Sequence, residues 1–311
     1  MSTVASSPAT APVSVSLQEL IALKQAGEMI RLAAPRVRAF AAGGRMSPFK
    51  GRGIEFDESR PYQDGDDLRT IDWRVTARTG RPHTKVFREE RNRPVILWLD
   101  LHSPMMFATR GAYKSVLAAR AAALVGWSAV ANGDQLGGLV FSEGRHEELR
   151  PRLGRRAALR MMQLIAADPT WHEQRTAADV DTDAALHALT RLTRVARPGS
   201  AAYLFSDFSG LDAAYERQLR QLASHCDVQL IHVFDPIEME LPPPGRYRID
   251  TGKRVHTIDT SDMAFREIYR KAFDERRERL AGLARLPGVR LLDCVTSDDP
   301  TSLLSRYFAR R

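Results

Sequence analysis

Hydrophobic positions along this chain come in short blocks that switch between two periods. From Pro94 the rhythm is regular. Pro94–Asp100 (PVILWLD) is a continuous apolar run ending in an acid, the pattern of a parallel strand buried on both faces. Helical spacing follows over Tyr113–Ala131. A strand is predicted over Gln135–Phe141, behind the Asn132-Gly133-Asp134 turn, with Arg145–Leu149 placed to pair with it as a hairpin. Further helices are predicted at Gly154–Ala167, Asp181–Val195, Ala213–Ser224 and Asp262–Leu286, with a closing helix over Ser302–Arg310. Strands are predicted at Ser200–Ser206, Val228–Phe234 and Val289–Val295. A hairpin around Thr251-Gly252 joins Tyr247–Asp250 to Val255–Asp259. Strands alternating with helices predict an α/β fold, a mainly parallel sheet with helices on both faces.

Before Pro94 the pattern is different. Leu17, Leu20, Ile21, Met29 and Ile30 mark a helix over Ser16–Ala34. A Gly- and Arg-rich stretch, Gly43–Gly53, leads into a polar, turn-rich segment ending at Arg93. Within it Arg74–Ala77 and Thr84–Phe87 read as short strands around a Thr79-Gly80-Arg81-Pro82 turn. The expected organisation is a disordered tail over 1–15, an N-terminal helix and arm over 16–93, and a sheet domain over 94–311. The 311 residues suit two domains of about 150 residues or one large α/β domain with an extension.

Composition adds exclusions. Hydrophobic content of 43% is enough for a sizeable core. Two cysteines, Cys226 and Cys294, cannot build a Cys-only zinc site or a multi-bridge scaffold; they are expected as buried reduced thiols, a single disulfide being the alternative. The start, MSTVASSPATAPVSVS, has no basic region followed by an apolar one. The longest apolar stretch, Ala121–Ala131, is shorter than the about 20 residues a membrane span needs. A soluble, cytoplasmic protein without membrane insertion is expected. There is no G-x-x-x-x-G-K-[ST], no G-x-S-x-G and no H-E-x-x-H, and Gly51-Arg52-Gly53 does not open a helix. The net charge of +8 raises nucleic-acid binding as an alternative, with Arg145–Arg160 the most basic stretch. A charge field suited to acidic protein partners explains the excess more simply.

Two strand ends carry acids, Asp100 after VILWL and Asp207 after AYLFS. In parallel sheets ligands sit beyond the carboxyl ends of the strands, so adjacent strands would bring both acids into one crevice. There they could hold a divalent cation or simply cap the next helix or turn.

The segment Tyr62-x-x-Gly65-Asp66-Asp67-x-Arg69-x-Ile71-Asp72-Trp73, with Ala77-Arg78 behind it, then TKVFREER and PVILWLD, resembles the bacterial family called "domain of unknown function 58". The likeness covers most of the chain from about Arg45. It implies that the sheet is of the Rossmann-like von Willebrand factor A type. Such domains often carry a metal-ion-dependent adhesion site: Asp-x-Ser-x-Ser at the first strand end, a Thr on a later loop, and an Asp at a further strand end. The carry-over is partial. Asp100 and Asp207 match the two acids, and Thr182 matches the Thr. His102 and Pro104 stand where the serines belong, with Ser103 one place out of register. Imidazole suits zinc or copper better than magnesium, and proline offers no ligand. The expectation is a degenerate, metal-free site with no obligatory cofactor, magnesium being the minor alternative.

In the signature itself, Asp64-Gly65-Asp66-Asp67 is a turn. Arg69, Arg74 and Arg78 are expected to pair with nearby acids, and Tyr62 and Trp73 to act as apolar anchors. The expected role is a polar arm held by salt bridges, or a docking surface. Family resemblance further implies partnership with a MoxR-type AAA+ ATPase. The functional expectation is therefore a non-enzymatic interaction module that binds through the rim of Asp100, His102, Ser103, Thr182 and Asp207. A metal-dependent hydrolase using Asp100 and Asp207 is the enzymatic alternative.

Overall fold

The computed structural model describes residues 13–32, 54–63, 71–89, 92–173, 183–250 and 255–309. They fall into two units, one holding residues up to 36 together with 93–311, the other residues 37–92. The expected Gly65, Asp66, Asp67 and Arg69 of the signature, and Thr182, lie outside the described residues.

The larger unit begins with two short helices, α1 (Leu17–Ala22) and α2 (Lys24–Met29), which break at Leu23 instead of running on as one. Ser16 caps the first by accepting from the Glu19 N–H. The sequence pattern groups these residues with the arm; they pack instead on the sheet unit, where Val15, Leu20 and Ile30 are buried in its core.

The smaller unit is a hairpin with a helix in its connection. Strand β1 (Ile54–Pro61) pairs antiparallel with β2 (His83–Glu89), and α3 (Trp73–Thr79) lies between them in sequence. Here the expected strand over Arg74–Ala77 is corrected to a helix. The reason is capping chemistry. The Asp72 carboxylate accepts from the Arg74 and Val75 N–H groups, and Gly80 closes the helix at φ 69, a left-handed conformation that favours glycine. Strand β1 falls in a segment whose sequence reads as turn-rich and polar, and it is an addition to the expected elements. Trp73 is 71% exposed, so it is not an apolar anchor. Arg74 and Arg78 form no ion pair among the described residues. Asp72 is instead the buried member of the signature, with Ser59 Oγ donating to it at 3.0 Å.

After Arg93 the regular α/β succession is as expected, with ends shifted by one to three residues. The elements are β3 (Pro94–Asp100), α4 (Lys114–Ala131), β4 (Gln135–Ser142), β5 (Arg145–Arg152), α5 (Arg155–Ala166) and α6 (Ala184–Val195). Next come β6 (Ala201–Ser206), α7 (Ala213–Ala223), β7 (Asp227–Phe234), α8 (Pro236–Met239), β8 (Arg246–Asp250) and β9 (Val255–Asp259). The chain closes with α9 (Met263–Ala284), β10 (Val289–Val295) and α10 (Pro300–Ala309).

The central sheet has the order β10-β7-β6-β3-β4-β5. Every neighbouring pair is parallel except β4 with β5. Alternate residues of β3 serve opposite faces. Val95, Leu97 and Leu99 point into a core shared with α4, α5 and α10. Ile96 and Trp98 point into a second core shared with α6 and α7 and with Leu280 and Leu283 of α9. Buried on all sides, α4 packs closely on both the sheet and α2. A Cβ on Gly27 would sit 2.7 Å from Trp127 Cβ, so only glycine admits that approach. Both cysteines are free and buried. Among the described residues no helix is long and apolar enough to cross a membrane.

Candidate functional site

Chain order reverses between β3 and β6. The connection after β3 leads to β4 on one side, while β6 and β7 continue on the other. The two strand tips diverge there, and the crevice they leave is the natural ligand position of an open parallel sheet. Register pairs Leu99 with Phe205, and the next residues, Asp100 ending β3 and Ser206 ending β6, are joined through their side chains. Asp207 is the next residue. Both carboxylates are fully buried, at 0% and 1% exposure.

Each is held by several donors. Asp100 Oδ2 accepts from Ser206 Oγ at 2.6 Å, and its Oδ1 accepts from the His102 N–H at 3.0 Å. The His102 ring bonds the same Oδ1 through Nδ1. On its other side Nε2 lies 3.3 Å from Ser209 Oγ and 4.0 Å from Asp207 Oδ1. Asp207 Oδ1 accepts from the Ser209 N–H at 2.9 Å. Asp207 Oδ2 accepts from Lys114 Nζ at 2.8 Å. Between the two serines the backbone is strained: Phe208 has φ 51, the one positive φ at a non-glycine among the described residues. Its N–H is tied to Ser206 Oγ at 3.0 Å.

Lys114 changes the meaning of the site. It is the first residue of α4, is fully buried, and donates to Asp207 and, at 2.5 Å, to Glu238 Oε1. Glu238 belongs to α8, one turn beyond the end of β7. Asp235 caps that turn and is itself buried, accepting from Thr109 Oγ1 at 2.6 Å, Thr296 Oγ1 at 2.7 Å and the Ile237 N–H at 3.0 Å. Three neighbouring strands thus end in acids, and a single lysine bridges two of the ends.

The charges settle each other. Burial acts to discharge Lys114, but Asp207 and Glu238 outweigh it and hold its pKa above the ordinary lysine value. Burial likewise acts against ionised Asp207. The Lys114 ammonium, followed by His102, overcomes this and holds the carboxyl well below the usual range. For His102, burial favours the neutral ring, and Asp100 reverses that with its charge and hydrogen bond, helped by Asp207 and Glu143; the pKa stands at about 9. At neutral pH both basic groups of the cluster, Lys114 and His102, are held charged by the acids around them.

Asp100, His102 and Asp207 have ligand atoms within 4.8 Å of one another, near enough to share a metal ion. The donor set does not fit magnesium. All four oxygens of the two aspartates already accept hydrogen bonds from the chain. Pro104 supplies no ligand. Ser103 Oγ is buried without a partner, while its N–H donates to Glu143 Oε1 at 2.5 Å. A divalent ion on Asp207 Oδ2 would lie within about 5 Å of the ammonium, and at an effective dielectric of about 20 that repulsion is roughly 7 kcal/mol.

The sequence points to Asp100, His102, Ser103 and Asp207; Asp100, His102 and Asp207 come together, while Ser103 bonds Glu143 through its N–H. It does not point to Lys114, Glu238, Ser206 or Ser209. A signal for Lys114 exists: it is one of only six lysines, placed at the start of a mostly apolar helix. Elsewhere, a groove of about 620 Å³ runs between the β4–β5 hairpin and α6, lined in part by Arg145, His187, Arg191 and Arg194. Arg145 and Arg191 are paired with Glu173 and Glu148, so part of the basic excess is answered inside the chain.

Sheet order, the antiparallel edge strand and the acids at the switch point define an α/β module built on a mainly parallel six-stranded sheet. The chain belongs to the family described as "protein of unknown function DUF58", whose pattern covers residues 58–279. It is 32% identical over 270 residues to uncharacterized proteins of Mycobacterium bovis and Mycobacterium tuberculosis, covering 86% of this chain and 83% of theirs. Two solved structures align with it. One is an aerotolerance-related membrane protein from Bacteroides fragilis (13% identity, TM-score 0.39). The other is the conserved hypothetical protein BatB from Bacteroides thetaiotaomicron (16% identity, TM-score 0.38). Each covers 70% of this chain and 100% of its own.

Proposed function

We propose that the protein is a non-enzymatic interaction module that engages a MoxR-type AAA+ ATPase through the rim of its switch-point crevice, without a metal ion. The observation that carries this reading is the fully paired acid cluster. General-base chemistry needs a group with a pKa near the working pH and access to a substrate proton. His102 is charged at neutral pH and bonded on both sides. Asp207 is sealed by Lys114. Burial pushes both cysteine thiols up to about 12, far from nucleophilic. With His102, Asp207 and the two thiols so held, the hydrolase alternative gains no support from these groups. The family resemblance supplies the ATPase, and the absence of a phosphate-binding loop motif from this sequence fits a partner that supplies the nucleotide chemistry.

The test is capture of a purified MoxR-type ATPase from the same source on the immobilised protein, in chelator and without nucleotide. Capture should persist in chelator and weaken at least about tenfold, or about 1.4 kcal/mol, with His102→Gln. Arg246→Ala, an exposed position remote in sequence, should leave it unchanged. Capture that requires magnesium, or that is equal for wild type and His102→Gln, would remove the rim reading.

A further inference from the structure

The degenerate Asp-x-His-x-Pro motif lacks both hydroxyls of an adhesion site, yet the crevice still gathers Asp100 and Asp207, both fully buried. Carboxylates so placed need a cation to stay ionised. The structure provides one from within. Lys114 Nζ stands 2.8 Å from Asp207 Oδ2, at 0% exposure, and its second acidic partner, Glu238, comes from a different strand end. In an adhesion site the metal joins the domain's acid to a carboxylate brought by the ligand. Here Lys114 joins Asp207 to Glu238 in the same way. Glu238 is also the most accessible acid of the three, its side chain 20% exposed against 0% and 1%.

We infer that Lys114 is a tethered replacement for the divalent cation, and Glu238 a tethered replacement for the ligand's carboxylate. The crevice therefore refuses divalent ions, and the ligand chemistry it retains is an acidic side chain that takes Glu238's place on the Lys114 ammonium. Only this last clause rests on the interaction reading; the occupation of the cation position stands apart from it.

Removing the Lys114 side chain leaves the carboxylates of Asp207 and Glu238 facing the space it filled, with Asp100 and His102 grouped around Asp207. Carboxylate oxygens suit manganese. The experiment is calorimetric titration of manganese into chelator-stripped protein. Wild type should give no saturable binding. Lys114→Ala should bind one ion at least about tenfold tighter than any residual wild-type affinity, or about 1.4 kcal/mol, and its melting temperature should rise with manganese. Adding Asp207→Asn should abolish the gain. If Lys114→Ala does not fold without metal, Lys114→Ala/Glu238→Gln carries one fewer unpaired acid and should still gain binding through Asp207, whose Oδ2 the lysine no longer holds. Saturable manganese binding by wild type would overturn the inference. So would a folded single or double variant that gains nothing. ATPase capture is measured in chelator, so failure here and failure of the interaction reading are told apart.

Discussion

Exchanging His102 for glutamine should flatten the alkaline side of the protein's stability profile. In the folded chain His102 keeps its proton to about 9, because the charge and hydrogen bond of Asp100, with Asp207 and Glu143 nearby, outweigh the burial that acts against it. In the unfolded chain an ordinary histidine loses its proton near about 6.5. The folded pKa is the raised one. The stabilisation is therefore complete below about 6.5 and is lost as pH climbs through about 9. A gap of this size corresponds to roughly 3 kcal/mol, nearly all of it lost between about pH 6 and pH 9. Urea unfolding at those two pH values, in both proteins, reads it directly. Other titrating groups act on both proteins alike, so the difference of differences isolates His102. Wild type should lose about 3 kcal/mol more than His102→Gln. Equal losses would show that His102 titrates alike in the folded and unfolded chain, and the paired-cluster account would fall with it.

The same packing sets two other outcomes. Lys114→Met strips the cation from two acids and should cost about 3–5 kcal/mol in urea unfolding, as removal of one partner from a buried ion pair does. Combined with Asp207→Asn it should cost clearly less than the sum of the two single changes; strict additivity would mean that the two groups are not coupled. Cys226 and Cys294, buried and with thiols pushed up to about 12, should react with iodoacetamide only as fast as the chain opens. Rapid native-state labelling of either would contradict their placement.

The middle of the sheet was legible because β3, β4, β6 and β7 are buried, mostly apolar runs, with helices in the crossovers between them. VILWL and AYLFS could hardly be anything else. The acids closing those runs were legible for the same reason. Lys114 was hidden because local sequence reports a helix start there, while its partners Asp207 and Glu238 lie 93 and 124 residues away. No periodicity carries that distance. The segment over Arg74–Ala77 misled for a different reason. Val75 and Thr76 favour strands weakly, and a good N-cap at Asp72 with a left-handed Gly80 beyond overrode them. Trp73 misled because size alone says nothing about which side of a short helix meets solvent.

Helix α4 joins two distant parts of the molecule. Its 18 residues make a rod about 27 Å long. One end carries the ammonium that holds the crevice together. Towards the other end, Trp127 Nε1 donates to Leu20 O at 2.9 Å, Ser128 Oγ bonds Ile30 O, and Gly27 of α2 lies against the helix. A buried rod of this kind has no side on which to bend. Whatever draws Glu238 away from Lys114 therefore slackens the tether of a lever whose far end bears the chain's first helices.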